Sequence, residues 1–298
     1  MHAIKIRRTT ANPEGITNQI FMQQIFFQFF IGKKRNVLWF FSLFLFLPFA
    51  GHTQIIQKVR IIKKTPHSPR DIEPVHCPWV VPYVYTRPVS LNKLPVKEKK
   101  QKFFDLLLPS ILVAKTNLDY TRQQVERLTL KKTMTPKDTL FIMPLMKKYR
   151  AKTLSELVNR LQTVPVSIVL AQAAIESGWG SSRFFREGNN VFGMWSFDST
   201  ENRIPALSHR NGTRIYLQKF NNLEESIDAY FTMLNTRTSF APFRALRQKT
   251  DDPLLLIDSL RIYSERGKDY INDIARLIRV NHLQRYDSCR IDPAYLIP

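Results

Sequence analysis

Residues 165–178, ProValSerIleValLeuAlaGlnAlaAlaIleGluSerGly, constrain this chain more than any other stretch. Pro165 suits the first turn of a helix, where its missing N–H is not needed, and Gly178 stops the helix. Counting back from Glu176, Ala173 lies at i−3, Gln172 at i−4 and Val169 at i−7, so Glu176 continues a largely apolar face. Two effects then raise its pKa: desolvation, and the negative end of the helix dipole beside Gly178. A carboxyl kept protonated near neutral pH is what a glycosidic general acid requires. Trp179 offers a flat apolar surface to wall that carboxyl or stack on a sugar, and Gly178 and Gly180 let the backbone turn sharply. The plain alternative is a Glu paired with a surface Lys or Arg, which is the commoner case for a helix-terminal Glu taken alone.

The rest of the chain supplies a mainly α setting. From Lys100 to Leu161 the pattern is helical, with Phe103, Phe104, Leu107, Leu108, Ile111 and Leu112 at three- and four-residue intervals. Pro109 is expected to bend or end that helix. Thr135 with Pro136, and Thr153 with Glu156, read as helix starts. Residues 195–220 are polar and turn-rich, with AsnGly at 211–212 between two strand-like runs, a β-hairpin signal. Asn221 or Asn222 caps a further helix, and two more follow near 253–263 and 268–283. Ahead of all this, 66–95 carries seven prolines, Pro66, Pro69, Pro74, Pro78, Pro82, Pro88 and Pro95. Proline fixes φ and removes a donor, so this is extended spacer, with Trp79, Tyr83 and Tyr85 packing part of it on the domain.

At the N-terminus, 37–50 reads ValLeuTrpPhePheSerLeuPheLeuPheLeuProPheAla behind Lys33, Lys34 and Arg35. A basic flank, a short apolar run and a small residue fit a secretory h-region, shorter than the about 20 residues of a spanning helix. Met22 is an alternative start. Either reading puts the flank inside and the body outside. The chain divides into a targeting or membrane-anchor segment at 1–50, the proline-rich spacer at 51–99 and a catalytic-type domain at 100–298. Lys and Arg number 45 against 24 Asp and Glu, a net charge of +21 spread through the body. That charge suits a polyanion such as nucleic acid, anionic lipid or acidic wall polymer. An export segment and the lack of a nucleic-acid motif argue against the first. The two cysteines, Cys77 and Cys289, have no zinc spacing. In an oxidising compartment they either pair across a long loop or stay as thiols. No metal or cofactor is implied.

AlaGlnAlaAlaIleGluSerGlyTrpGlySerSer at 171–182 closely resembles the glucosaminidase domain of glycoside hydrolase family 73, which occurs in autolysins and flagellar muramidases. AsnValPheGlyMetTrp at 190–195 and TyrSerGluArgGlyLysAspTyrIle at 263–271 continue the resemblance. PhePheAspLeuLeuLeuProSerIle at 103–111 is similar to the Bax-type branch of Gram-negative bacteria. The resemblance spans roughly 100–285. It implies a lysozyme-like, mainly α (α+β) domain with a small β-hairpin lobe, and a periplasmic enzyme, exported or held at the inner membrane, that cuts the glycan strands of peptidoglycan as an endo-β-N-acetylglucosaminidase. Glu176 takes the role of general acid. Asn190, Phe192 and Gly193 shape the cleft floor, and Tyr263 and Tyr270 line it opposite the acid. Trp179 and Trp195 are candidate sugar contacts, though Trp195 could equally cover the hairpin.

One departure stands out. Many members carry a second Glu in the hairpin lobe, and between Met194 and Lys219 the only carboxylates here are Asp198 and Glu201. Glu201 is the candidate partner, but it sits early in the lobe. An inverting mechanism needs the two carboxyls about 6.5–9.5 Å apart. Without such a partner, either the substrate's N-acetyl group is the nucleophile or a single acid acts alone, as in lytic transglycosylases. A wall-binding protein on a degenerate hydrolase fold is the non-catalytic reading.

Overall fold

The computed structural model describes residues 58–210 and 213–297. These fall within one compact unit, Thr53–Pro298. The apolar run 37–50 and the AsnGly turn at 211–212 lie outside the described residues. Four short strands come first: β1 (Lys58–Val59), β2 (Ile62–Lys64), β3 (Trp79–Val80) and β4 (Tyr83–Tyr85). Five helices follow: α1 (Val96–Thr129), α2 (Pro136–Tyr149), α3 (Leu154–Arg160), α4 (Val166–Ser177) and α5 (Arg183–Gly188). The lobe is β5 (Trp195–Ser196), β6 (Arg203–Arg210) and β7 (Thr213–Gln218). After it come α6 (Leu223–Thr236), α7 (Ala241–Arg247), α8 (Pro253–Leu256), α9 (Lys268–Val280), β8 (Arg290–Ile291) and β9 (Leu296–Ile297). The mainly helical architecture with a small β lobe is as expected from the sequence.

The proline-rich stretch is extended apart from a 3-10 turn at Pro69–Asp71, and its short strands pair within the unit. β1 pairs antiparallel with β9, β3 runs parallel to β8, and β2 runs parallel to β4. Cys77 and Cys289 form a disulfide beside the β3–β8 pair. This settles the alternative that the sequence left open.

Pro109 neither ends α1 nor interrupts it, since the helix runs on to Thr129. An interior proline costs about 3 kcal/mol. Here the residues from Phe103 to Ala114 are buried. Tertiary packing of that length outweighs the local penalty, as it does for most helices in proteins. Thr135 caps α2 and Thr153 caps α3, each through a hydroxyl that accepts the backbone N–H three residues on. Asn222, rather than Asn221, caps α6.

α4 is the axis of the fold. Every residue from Val166 to Ala174 is buried, against α1, α9 and the turn Leu283–Tyr286. Pro165 offers no capping side chain, so the first turn is satisfied from elsewhere. Asp287 accepts the Ser167 N–H and hydroxyl, both at 2.8 Å. The far end closes on Gly178 in the left-handed region. Gly178 N–H donates to Ile175 O at 3.2 Å and Trp179 N–H to Ala174 O at 2.9 Å, a Schellman closure. That fixes Glu176 in the last turn of a helix whose body is sealed in the core. In the lobe, β7 lies between β5 and β6, and the pairing Arg210↔Thr213 leaves a two-residue connection.

Candidate active site

Glu176 lines a cavity of about 430 Å³ between the end of α4, the 190–197 segment, the end of α6 and the turn Ile257–Tyr263. Burial pushes its carboxyl above the usual range, while the Tyr270 hydroxyl opposes the shift by hydrogen-bonding the charged form. That hydroxyl donates to Glu176 Oε1 at 2.8 Å. The Gln172 side-chain amide donates to the same hydroxyl at 2.9 Å, and its carbonyl accepts the Tyr230 hydroxyl at 2.5 Å. Gln172 sits one turn before Glu176 and is fully buried. The chain of bonds therefore runs in one direction: Tyr230 sets the amide, the amide takes up a lone pair of Tyr270, and the Tyr270 proton is left for Glu176. With Oε1 engaged as acceptor, Oε2 is the oxygen that can carry a proton toward the cavity.

Burial also raises the phenol pKa values of Tyr230, Tyr263 and Tyr270, so all three stay neutral donors. Tyr263 lies parallel to Tyr270, centroids 5.7 Å apart and planes within 1°, and also lines the cavity. Phe192 stacks on Tyr230 at 4.1 Å and forms floor. Glu224 is likewise raised, to about 7, by burial and then by Asp228 and Glu225. It does not line this cavity, so a high pKa alone does not mark the site.

Asn190 is a builder of the floor. Its amide donates to Met194 O and Gln218 O, both at 2.9 Å, and its carbonyl accepts Met194 N–H at 2.8 Å. It thereby ties the 190–194 turn to β7. Gly193 has φ of 64° and open space where a Cβ would stand. Trp195 lies on the cavity wall beside Phe197, ring centroids 6.0 Å apart. Trp179 goes elsewhere. Its φ of 57° sends the indole back onto α1, edge-on to Phe103 and Phe104 at 5.5 and 5.6 Å, with Lys100 Nζ 5.1 Å from the ring centre. It packs the outside of the SerGlyTrpGly turn and is not in the cavity lining. Gly180 makes that turn tight, because a Cβ there would meet Phe185 at 3.2 Å. Glu201 is exposed, accepts the Gln218 amide at 3.0 Å, and does not line the cavity. Phe197, Arg237 and Ile262, which sequence reasoning passed over, do line it. Their one available signal was an exposed aromatic, Phe197, in an otherwise polar stretch.

A second, larger cavity of about 730 Å³ opens at the opposite end of α4, near Pro165, Lys115 and Asp287. Burial lowers the Lys115 ammonium to about 8, but its proton donors serve Thr163 Oγ1 and Val164 O. That end has a scaffold role: it fastens α1 to the entry of α4.

A raised carboxyl, held by a directed phenol and facing an aromatic-walled cleft, defines a glycoside hydrolase type of site. Residues 151–283 match the model of the glucosaminidase family, described as mannosyl-glycoprotein endo-beta-N-acetylglucosaminidase. Protein bax of Escherichia coli K12 is 28% identical over 207 residues, covering 64% of this chain and 73% of that protein. Among solved structures, the catalytic domain of the autolysin Auto from Listeria monocytogenes is similar at 18% identity and TM-score 0.36, over 55% of this chain and 96% of that one. The glycoside hydrolase domain of FlgJ from Salmonella typhimurium is similar at 21% identity and TM-score 0.33, over 46% and 93%.

Proposed function

We propose that the domain hydrolyses the glycan strands of peptidoglycan as an endo-β-N-acetylglucosaminidase, with Glu176 as general acid. The observation that carries this reading is the Tyr270–Glu176 bond in the cavity. It leaves one carboxyl oxygen for the leaving-group oxygen of a sugar seated against Trp195, Phe192 and Tyr263. The match of 151–283 to the glucosaminidase family supports the chemistry, and the net charge of +21 suits an anionic wall. Purified wall sacculi, digested and resolved by mass spectrometry, test it: new reducing N-acetylglucosamine ends are expected from the wild type and none from Glu176→Gln.

One observation favours a second reading. Glu176 is the only carboxylate lining the cavity among the described residues, which suits a lytic transglycosylase acting with one acid. The same digest separates the two, because that reaction leaves anhydro-muramic ends.

We place the domain on the outer side of the cytoplasmic membrane, exported or anchored by the apolar segment 37–50. The Cys77–Cys289 disulfide supports this, since such bonds persist in oxidising compartments. A reporter fused after residue 100 should be active only outside the cytoplasm, and cytoplasmic activity would end this placement.

A further inference from the structure

The C-terminal end of α6 holds more cationic groups than it uses. A helix terminus leaves carbonyls that Lys or Arg side chains commonly satisfy. Here Arg160 Nη1 donates to Asn235 O and Thr236 O, each at 3.4 Å. Arg244 Nη1 donates to Leu234 O at 3.0 Å and to Arg237 O at 2.8 Å. The end is thus capped without the guanidinium of Arg237. The backbone of Arg237 is pinned on both sides: its N–H donates to Met233 O at 3.0 Å and its carbonyl also accepts Phe240 N–H at 3.2 Å. Its side chain is exposed, lines the cavity that contains Glu176, and makes no hydrogen bond or ion pair with any described residue. Nor does it serve as counterion to the acid, whose perturbation comes from burial and Tyr270 alone.

A guanidinium carried on a pinned backbone and lining a cleft with Trp195, Phe197 and Tyr263 has a specific chemical use. Its planar fork of donors matches a carboxylate in two parallel bonds. The aromatic walls take sugar faces, which are uncharged. A neutral polymer of N-acetylglucosamine would leave this cation nothing to bind. Wall glycan carries a lactyl ether on alternate sugars: without a stem its carboxylate is free, and with a stem that carboxyl is an amide and the stem peptide carries the carboxylates instead.

We propose that Arg237 is the carboxylate reader of the cleft: it binds an acidic group carried by the glycan next to the sugar being cut, and so selects acidic wall strands over neutral ones. The proposal rests on the hydrolase reading for its substrate class, and binding rather than turnover tests it. In full-length Glu176→Gln protein, which leaves the ligand intact, dissociation constants are measured by calorimetry with and without Arg237→Met. The ligands are stem-bearing strands, strands freed of stems, and stem-free strands whose lactyl carboxyls have been reduced to alcohols. Loss of a charge-assisted contact is expected to weaken binding of the acidic strands by roughly tenfold to a hundredfold. The reduced strands should bind equally weakly with Arg or Met at 237. Arg237→Lys should recover part of the loss, keeping the charge without the fork. A penalty confined to stem-bearing strands assigns the carboxylate to the stem; a penalty on stem-free strands assigns it to the lactyl group. If Arg237→Met weakens reduced and acidic strands by the same factor, or weakens neither, or if no strand binds, the proposal is overturned. Wild-type digestion of sacculi, run in parallel, reports on the hydrolase reading separately.

Discussion

The Tyr270 hydroxyl donates its single proton to Glu176 Oε1 at 2.8 Å, and it can do so because the Gln172 amide occupies the hydroxyl's acceptor side at 2.9 Å. Tyr270 is a positioning residue. Tyr270→Phe should lower kcat on wall fragments by roughly tenfold to a hundredfold, the size seen when an outer-shell partner is lost. It should also cost about 1–3 kcal/mol of stability, since the buried Gln172 N–H is left unpaired. The pH profile separates positioning from mere packing. The phenol favours the charged form of Glu176, so its removal raises the carboxyl further and moves the basic limb of kcat to higher pH. An unmoved limb would reduce Tyr270 to a packing residue.

Glu176→Gln should abolish turnover, as loss of a general acid typically costs on the order of 10²–10⁴ in rate. Its effect on stability should have the opposite sign at neutral pH. The folded-state pKa of Glu176 is raised by burial, so the folded protein holds that proton more tightly than the unfolded chain. Its contribution to stability is therefore full below the ordinary carboxylate range and is lost as pH rises through the folded-state value. Gln cannot ionise and still accepts the Tyr270 bond. Thermal melts should show Glu176→Gln above the wild type at pH 8 and the gap closing toward pH 4. A gap that widens in acid would contradict the burial account.

Cys77 and Cys289 lie 212 residues apart. In the chain-entropy picture, a loop of that length is worth about 5 kcal/mol, with measured values commonly 2–5. The bond also holds β3 against β8, a pairing only two residues long that could not persist alone. Reduction, or Cys77→Ser with Cys289→Ser, should lower the melting temperature by several degrees and expose the backbone amides of Arg290 and Asp292, which donate to Pro78 O and Val80 O, to hydrogen exchange first. Uniform exchange with an unchanged melt would show the bond to be dispensable.

What the sequence made legible follows from how local each signal is. Glu176, Gln172 and Ala173 share one helix, so 3.6-residue spacing placed them on one face before any tertiary contact was known. Thr135, Thr153 and the Asn222 cap are likewise local. Trp179 was not legible in this way. Its direction depends on a left-handed backbone between two glycines, which turns it from the cleft onto Phe103 and Phe104. The unbroken α1 through Pro109 is a case of packing overriding local preference. Arg237, Phe197 and Ile262 belong to three separate segments of the chain that meet only in space, and Arg237 becomes informative only once Arg160 and Arg244 are seen capping α6. The Cys77–Cys289 pairing depends on the β1–β9 and β3–β8 contacts between the two ends of the unit, which no short-range pattern records.

Glu201 decides what kind of catalyst this is. It lies between β5 and β6, on an exposed turn. One of its oxygens accepts the Gln218 amide at 3.0 Å, and the residue does not share the cavity with Glu176. A catalytic carboxylate has to be held within about 0.5 Å of its working position by its surroundings, and a single amide at the edge of the lobe does not do that. Glu201→Gln keeps an acceptor for Gln218 and should leave turnover within a few-fold of wild type, against the loss of on the order of 10²–10⁴ expected for Glu176→Gln. The nucleophile is then the substrate's own N-acetyl oxygen, which attacks the anomeric carbon as the leaving group is protonated and is displaced by water in a second step, or the muramic hydroxyl, which attacks internally. The products distinguish these routes: a retained anomer with a free reducing end for the first, an anhydro end for the second. Equal losses in the two Glu→Gln variants, with both folds intact, would instead require the lobe to swing Glu201 over the cleft when the glycan binds, and would restore a two-carboxylate mechanism.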